Sequence, residues 1–233
     1  MLFFEDRSRD TTYEELIPGT SYNYRVKEHM ALVDMLQAGE LAVISNELRA
    51  ILGQIVFKPG KGAAMVWVKH YDPEKDVVKS ETFRSLERVP VRESIRKEVE
   101  YLGSSTDDVT DLQELVKMDA RDRTFRFREL ETNKTFEKKI SRGIVKQLQF
   151  VKNGDHLMAI YRPDGEFICF IPPKFVKLRV EKLIDFPFET NLEDVAKIAI
   201  LETGANINVP ESVKEGQYIE INTETGELSR QKT

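Results

Sequence analysis

Residues 50–69 read AILGQIVFKPGKGAAMVWVK, two apolar runs joined by a short turn-forming segment. β-branched and aromatic residues fill both runs, and runs of this kind bounded by Pro and Gly are typical of β-strands. Pro59 fixes its own φ, while Gly60 and Gly62 permit the positive φ that a tight reversal needs. The segment therefore predicts a β-hairpin with Lys61 at its tip.

A single cation at a hairpin tip has two interpretations. Lys is common in solvated turns, so Gly60-Lys61-Gly62 taken alone is equally an ordinary surface loop. In the other interpretation the hairpin is a stalk that presents the Lys61 amine to a partner. Sequence motifs elsewhere in the chain distinguish these two interpretations.

Further blocks of sequence occur in the order in which one family has them. They are Lys58-Pro59-Gly60-Lys61-Gly62, Thr82-Phe83-Arg84-Ser85, Val89-Pro90-Val91 with Glu98-Val99-Glu100-Tyr101-Leu102, Pro172-Pro173-Lys174-Phe175-Val176-Lys177-Leu178, Ala199-Ile200-Leu201-Glu202-Thr203-Gly204-Ala205, and Asn222-Thr223-Glu224-Thr225-Gly226-Glu227. On these motifs, residues 38–233 resemble bacterial elongation factor P, a three-domain translation factor that relieves ribosomes stalled on consecutive prolines.

The resemblance implies a mostly β protein made of three small barrels in a row. We expect an SH3-like (KOW-type) barrel at 36–87 that carries the hairpin, an OB-fold barrel at 88–183 with an insertion near 104–121, and a C-terminal OB-fold barrel at 184–233. Residues 1–35 then form an N-terminal extension, in which 26–36 has the pattern of a helix ending at Gly39.

Local patterns give the elements within these barrels. We expect strands at Leu41–Ile44, Val77-Val78, Thr124–Arg128, Leu157–Tyr161 and Tyr218–Ile221. We interpret 172–178 as the closing strand of the middle barrel, and Ile140, Ile144, Val145 and Leu148 recur at the spacing of a helix. Apolar strand contexts favour core packing for Phe125, Phe127, Phe167 and Phe170 over the base stacking that OB-folds often use.

The length and composition of the chain indicate whether it can form a core and where in the cell we expect it. A chain of 233 residues with 40% hydrophobic content is able to bury a core. No apolar run approaches the length of a membrane span, and the first residues resemble no leader, so we expect a cytoplasmic protein or, in a processed form, one of an organelle matrix. The single cysteine, Cys169, lies in an apolar run that favours a core position.

The charge pattern is uneven. The net charge of −5 is unusual for a nucleic-acid binder, whose affinity comes largely from neutralised phosphates. Cations are nevertheless grouped at the hairpin, where Lys58, Lys61, Lys69 and His70 lie, whereas the third segment is acidic. We expect binding to depend on placement of these few cations.

Nothing in the sequence predicts catalysis. The three histidines, His29, His70 and His156, lie apart without metal-ligand spacing, and no nucleophile elbow, Walker or dinucleotide motif is present. Asp107, Asp108 and Asp111 precede residues at helical spacing and fit the start of a helix better than a catalytic pair. We expect no enzymatic activity, no metal and no cofactor.

The resemblance also implies a mechanism. A family member binds the ribosome beside peptidyl-tRNA, and its tip lysine, here Lys61, reaches toward the CCA end and promotes peptide-bond formation at consecutive prolines. In many members a modifying enzyme lengthens that lysine. Here Pro59, Gly60 and Gly62 shape the tip, and Lys58 is a candidate phosphate contact. The alternative is an OB-fold RNA- or protein-binding module that has lost the ribosomal role.

Three positions depart from the family. Trp67 stands where the family often has a basic residue, and it either covers the barrel or faces RNA. Residues 185–191 replace a Gly-Asp-Thr loop that touches tRNA in the family, and Leu228 follows Glu227 where the family has a tyrosine. The contacts of those two positions are therefore not carried over to this chain.

Overall fold

The computed structural model describes residues 11–16, 23–104, 124–139, 148–185 and 197–229. These residues are nearly all β and form three barrel-like sheets, which confirms the predicted fold class. They fall into two compact units, one drawn from Met1–Glu98 and Met158–Ile171 and the other from Val99–Leu157 and Pro172–Thr233. The limits predicted for the three domains stay predictions.

The first sheet has seven strands in the order β1-β2-β7-β3-β4-β5-β6. They are β1 (Thr11–Leu16), β2 (Asn23–Leu32), β3 (Leu41–Ile44), β4 (Glu47–Phe57), β5 (Met65–Asp72), β6 (Val77–Arg84) and β7 (Arg88–Arg92). Its core takes Val66 and Val68 from alternate positions of β5, and they pack with Ile51, Val89 and Val91. This alternation is the period-2 pattern of a strand with one buried face.

The helix predicted over residues 26–36 is wrong. Asn23–Leu32 is a strand, β2, that pairs antiparallel with β1 and with β7, and only Val33–Met35 turns, as a short 3-10 helix. Ala31 and Val33 pack against the core while Met30 is exposed, which is strand alternation followed by a turn. Pairing with β7 outweighs the local helical spacing, because five ladder pairs and the packing of Ala31 against the core stabilise the strand.

The second sheet has five strands in the order β10-β9-β8-β11-β12. They are β8 (Ile95–Ser104), β9 (Thr124–Glu129), β10 (Thr135–Lys139), β11 (His156–Tyr161) and β12 (Phe167–Ile171). Phe125, Phe127 and Phe170 are buried, as predicted, and Phe167 is partly buried. Cys169 is fully buried, and this burial raises the pKa of its thiol to about 12, so its predicted core position is confirmed.

The third sheet has five strands in the order β15-β14-β13-β16-β17. They are β13 (Phe175–Asp185), β14 (Lys197–Leu201), β15 (Asn206–Val209), β16 (Tyr218–Asn222) and β17 (Glu227–Leu228). The interpretation of 172–178 as the closing strand of the middle barrel is therefore wrong, since β13 pairs with β14 and β16. The reason is packing: Val176, Leu178 and Val180 face inward against Ile219 and Ile221.

Several sequence predictions fall outside the described residues. These are the helix start at Asp107, Asp108 and Asp111, most of the insertion near 104–121, the helix over 140–147, and the loop at 186–191.

Candidate functional site

The predicted hairpin is present in the structure. Strands β4 and β5 pair antiparallel, and their last pairs toward the turn are Ile55↔Trp67, Val56↔Val66 and Phe57↔Met65. Residues 58–64 then form the connection between the strands. On its other side β5 pairs with β6 along the whole of both strands, so the hairpin is held within a sheet.

The turn uses its glycines in two different ways. Gly60 has φ +59°, and a Cβ added there would meet nothing within 4 Å, so backbone conformation alone favours glycine. Gly62, also predicted to supply positive φ, is not among the positive-φ residues. Its N–H donates instead to the carbonyl oxygen of Pro59 at 3.3 Å and closes the turn.

The two lysines of the turn are exposed. Lys58 and Lys61 lie on either side of the Pro59-Gly60 pair, and neither has an ion-pair or hydrogen-bond partner within the part of the chain that the structure describes. A lysine ammonium on a long, flexible stem is a compact cation that suits a phosphate or a hydroxyl oxygen. The turn therefore presents two cations from the end of a paired stalk.

The face of the hairpin below the turn is apolar. Ile55 and Phe57 each keep 41% of their surface exposed, and their partners Trp67 and Met65 are partly exposed. The buried positions of β5, such as Val66, point the other way into the core. Trp67 therefore lies on the outer face of the hairpin and does not contribute to the core.

The predicted basic cluster is divided between the two faces of β5. Lys69 follows Trp67 on the outer face, but His70 is fully buried on the inner face, with Nε2 3.2 Å from Glu81 Oε1. The sheet adds a cation that the sequence pattern did not single out, because Arg84 of β6 is exposed directly opposite Met65. The strand register, which is set only in three dimensions, brings it there.

An ionic cluster around the buried Arg49–Asp72 pair fixes the end of the hairpin strands away from the turn. Arg49 Nη1 lies 3.0 Å from Asp72 Oδ1, Arg49 also contacts Glu47, and Lys75 Nζ lies 2.6 Å from Glu47 Oε1. Burial alone would raise the pKa of Asp72, but hydrogen bonds from the Lys75 and Glu74 N–H groups and the Arg49 charge lower it. The cluster ties β4 to the β5–β6 turn and so supports the stalk.

Comparison with known proteins shows the family of this chain. The family description "Elongation factor P, C-terminal" matches residues 188–230. The elongation factor P of Alkaliphilus oremlandii (strain OhILAs) is 31% identical over 170 residues, which are 73% of this chain and 82% of that protein. The chain belongs to the elongation factor P family. Its predicted resemblance is confirmed, and it is a translation elongation factor.

Two further proteins are similar to this chain. The elongation factor P of Agathobacter rectalis is 30% identical over 203 residues, which are 84% of this chain and 100% of that protein. The solved structure titled "Eukaryotic translation initiation factor 5A from Methanococcus jannaschii" is 20% identical and covers 63% of this chain and 92% of its own, with a TM-score of 0.30. The match to the Agathobacter rectalis protein thus extends over the whole length of that relative.

The acidic residues of the third barrel have structural partners. Glu202 Oε1 lies 3.3 Å from Lys152 Nζ, Glu224 Oε2 lies 3.1 Å from Lys174 Nζ, and the Leu183 N–H donates to Glu215 at 2.8 Å. Across the described ranges, no three His, Cys, Asp or Glu side chains are grouped as a metal site. No helix there is long and apolar enough to cross a bilayer.

Proposed function

We propose that this elongation factor P family member binds the ribosome beside peptidyl-tRNA and uses Lys61 to promote peptide-bond formation at difficult sequences such as consecutive prolines. The observation that carries the proposal is an exposed lysine at the tip of a hairpin whose β5 strand is paired on both sides, in a chain of this family. The protein acts where ribosomes are, in the cytoplasm.

The chemistry proposed for the tip is positioning. A cation at the end of the stalk contacts a phosphate or a 2′-hydroxyl oxygen of the CCA end and holds it in a reactive pose. Proline has a constrained ring and is a poor nucleophile, so a misaligned peptidyl-prolyl-tRNA reacts slowly. Restricting its freedom lowers the entropic part of the barrier, while the bond is made by the ribosome itself.

The remaining site residues have supporting roles in this proposal. Pro59, Gly60 and Gly62 hold the turn, and Lys58 contacts a backbone phosphate. A lysine-modifying enzyme that lengthens the Lys61 side chain would extend its reach beyond the turn. We propose three barrel domains, with 1–35 as an extension, a limit near 87, and a second limit before Phe175, where β13 of the third sheet begins.

The test is synthesis through a run of prolines in a reconstituted translation system that lacks its own factor. We expect Lys61→Ala to lower the stimulated rate by about ten- to a hundredfold, because a hydrogen bond to a charged group contributes about 1.5–3 kcal/mol. Lys177→Ala, which removes an exposed lysine from β13, is the matched control and should act like wild type.

The outcomes separate the alternatives. Full stimulation by Lys61→Ala would show that the tip lysine is not used. Absence of stimulation by both proteins favours either a missing modification or an OB-fold module that binds RNA or protein outside this step. The intact mass of the native protein distinguishes these, since a modified Lys61 adds mass to the chain.

A further inference from the structure

Two rows of side chains form a continuous outer surface on the hairpin, which we call the hairpin platform. The strand register sets Phe57 beside Met65 and Arg84 in one row, and Ile55 beside Trp67 and Thr82 in the next. The rows are two residues apart along the strands, about 7 Å. The platform is therefore a largely apolar patch on the outer face of the hairpin, directly below the Lys58–Gly62 turn.

The platform is not needed for the core of its sheet. Its large side chains lie on the face opposite Val66 and Val68, which are fully buried, and Ile55 and Phe57 each remain 41% exposed. Adjacent exposed apolar side chains with a polar rim are typical of an interaction surface. The charges around the platform indicate the chemistry of the partner that covers it.

The charges at the rim are positive. Lys58 follows Phe57 in sequence, and Arg84 ends the Phe57–Met65 row, while neither row contains an acidic residue. Glu87 contacts backbone groups of Arg84: the Arg84 N–H donates to Glu87 Oε1 at 3.1 Å, and the Glu87 N–H donates to the Arg84 carbonyl oxygen at 3.0 Å. An apolar surface that carries aromatic side chains and has cations at its edge is complementary to a ligand that has both a planar ring and anionic groups.

We propose that the hairpin platform is a stacking subsite for an unpaired RNA base. Trp67 and Phe57 contact the face of the base, and Lys58 and Arg84 contact the phosphates beside it. The proposal rests on the proposed function only in that the partner is RNA. The platform would bind an unstacked base by its ring, whereas the tip lysine contacts oxygen atoms.

The protein offers a direct probe of this subsite. Trp67 is the only tryptophan of the chain, so its intrinsic fluorescence reports on the platform alone. We expect a six-nucleotide single-stranded RNA, titrated into the full-length protein, to quench this fluorescence in a saturable manner. Inorganic tripolyphosphate, which has the charges but no bases, should leave the emission unchanged.

Affinity measurements on variants complete the test, with anisotropy of the same RNA carrying a dye. Trp67→Leu should weaken binding by at least about fivefold, the weak end of what one stacked base contributes. Trp67→Phe keeps a ring and should bind within about twofold of wild type. Tyr218→Leu is the matched control, because Tyr218 is an aromatic residue 59% exposed on the third barrel, and it should have no effect.

Four results would overturn the proposal. RNA binding with unchanged Trp67 emission would mean that no base stacks there, and wild-type affinity of the folded Trp67→Leu variant would mean the same. Equal quenching by tripolyphosphate would show a site for charge alone. Modification of Lys61 that fails in Trp67→Leu, while its RNA affinity stays at the wild-type value, would identify the platform as a protein-docking surface.

The fluorescence and affinity measurements test the stacking subsite independently of the proline-run assay. Lys61→Ala leaves the platform intact, so it should retain RNA-dependent quenching of Trp67. A protein that quenches with RNA and loses affinity on Trp67→Leu supports the subsite even if translation through prolines is not stimulated.

Discussion

His70 is a titratable side chain in the core of the first barrel. It is fully buried, its Nε2 lies 3.2 Å from Glu81 Oε1, and its Nδ1 has no hydrogen-bond partner among the described residues. Burial lowers the pKa of His70, and the charges of Arg49 and Lys79 act in the same direction, while Glu81 opposes them. The imidazole is therefore neutral in the folded protein at pH 7.

This predicts acid sensitivity with a defined sign. The pKa of His70 is lower in the folded state than the ordinary value of about 6.5, so below that pH the unfolded chain binds more protons. The contribution of His70 is fully present above about pH 6.5 and is lost as the pH falls below it. Between pH 7.5 and 5 the loss is at most about 2 kcal/mol, the linkage limit for one histidine of ordinary pKa 6.5.

Urea unfolding at both pH values measures this effect. His70→Gln keeps a donor for Glu81 but does not titrate, so its free energy of unfolding should fall less between pH 7.5 and 5 than that of wild type. Equal losses in the two proteins would assign the acid sensitivity to other groups.

The faces of β5 on which Lys69 and His70 lie could not be predicted from the sequence alone. Both were predicted as part of one basic cluster, but consecutive residues of a strand point to opposite faces. Lys69 is therefore on the outer face with Trp67, and His70 is in the core. The alternation itself is readable in the sequence, but which face is inward depends on Ile51, Val89 and other residues far along the chain.

At the scale of elements, the segment around Phe150 joins the core of the third barrel. Phe150 is only 2% exposed and packs with Val176, Leu178 and Ile221. A Cβ added to Gly226 would lie 3.6 Å from its ring, so the ring also covers the turn between β16 and β17. No motif in the sequence pointed to this contact, because Phe150 is distant from the third barrel along the chain.

We predict that Phe150→Ala lowers the free energy of unfolding by about 3–5 kcal/mol, since it leaves a cavity in a packed core. Phe175→Ala is the matched control: Phe175 is 47% exposed on β13, and its removal should cost under about 1 kcal/mol. Urea unfolding followed by circular dichroism measures both variants. Similar losses in the two variants would mean that Phe150 is not a core residue.

Elements were predicted well where the local pattern is sufficient. The strand at Leu41–Ile44 and the hairpin occur as predicted, because alternation and turn chemistry are local. The errors concern partners. A strand pattern at 172–178 does not show which sheet the strand joins, and β2 was mistaken for a helix because its pairing with β7, more than 50 residues away, is not visible locally.

At the scale of the whole molecule, the distribution of charge is more important for the proposed RNA binding than the net charge. The net charge is −5, yet Lys58, Lys61 and Arg84 are exposed together around the hairpin. Several acidic side chains of the third barrel are used in structural contacts, as with Glu202 and Lys152 at 3.3 Å. Under the proposed function the protein binds RNA through this small positive region, and acidic residues elsewhere repel the RNA, so we expect a modest affinity.

This predicts a weak dependence of RNA binding on salt. If three cations each neutralise one phosphate of a single strand, the slope of log K against log salt concentration is about −2, because each contact contributes about −0.7. Anisotropy of the dye-labelled six-nucleotide RNA between about 50 and 300 mM KCl measures it. Lys58→Ala should reduce the slope by about 0.7, whereas Lys177→Ala should leave it unchanged. A slope steeper than about −4 would require a second basic surface and would contradict binding confined to the hairpin.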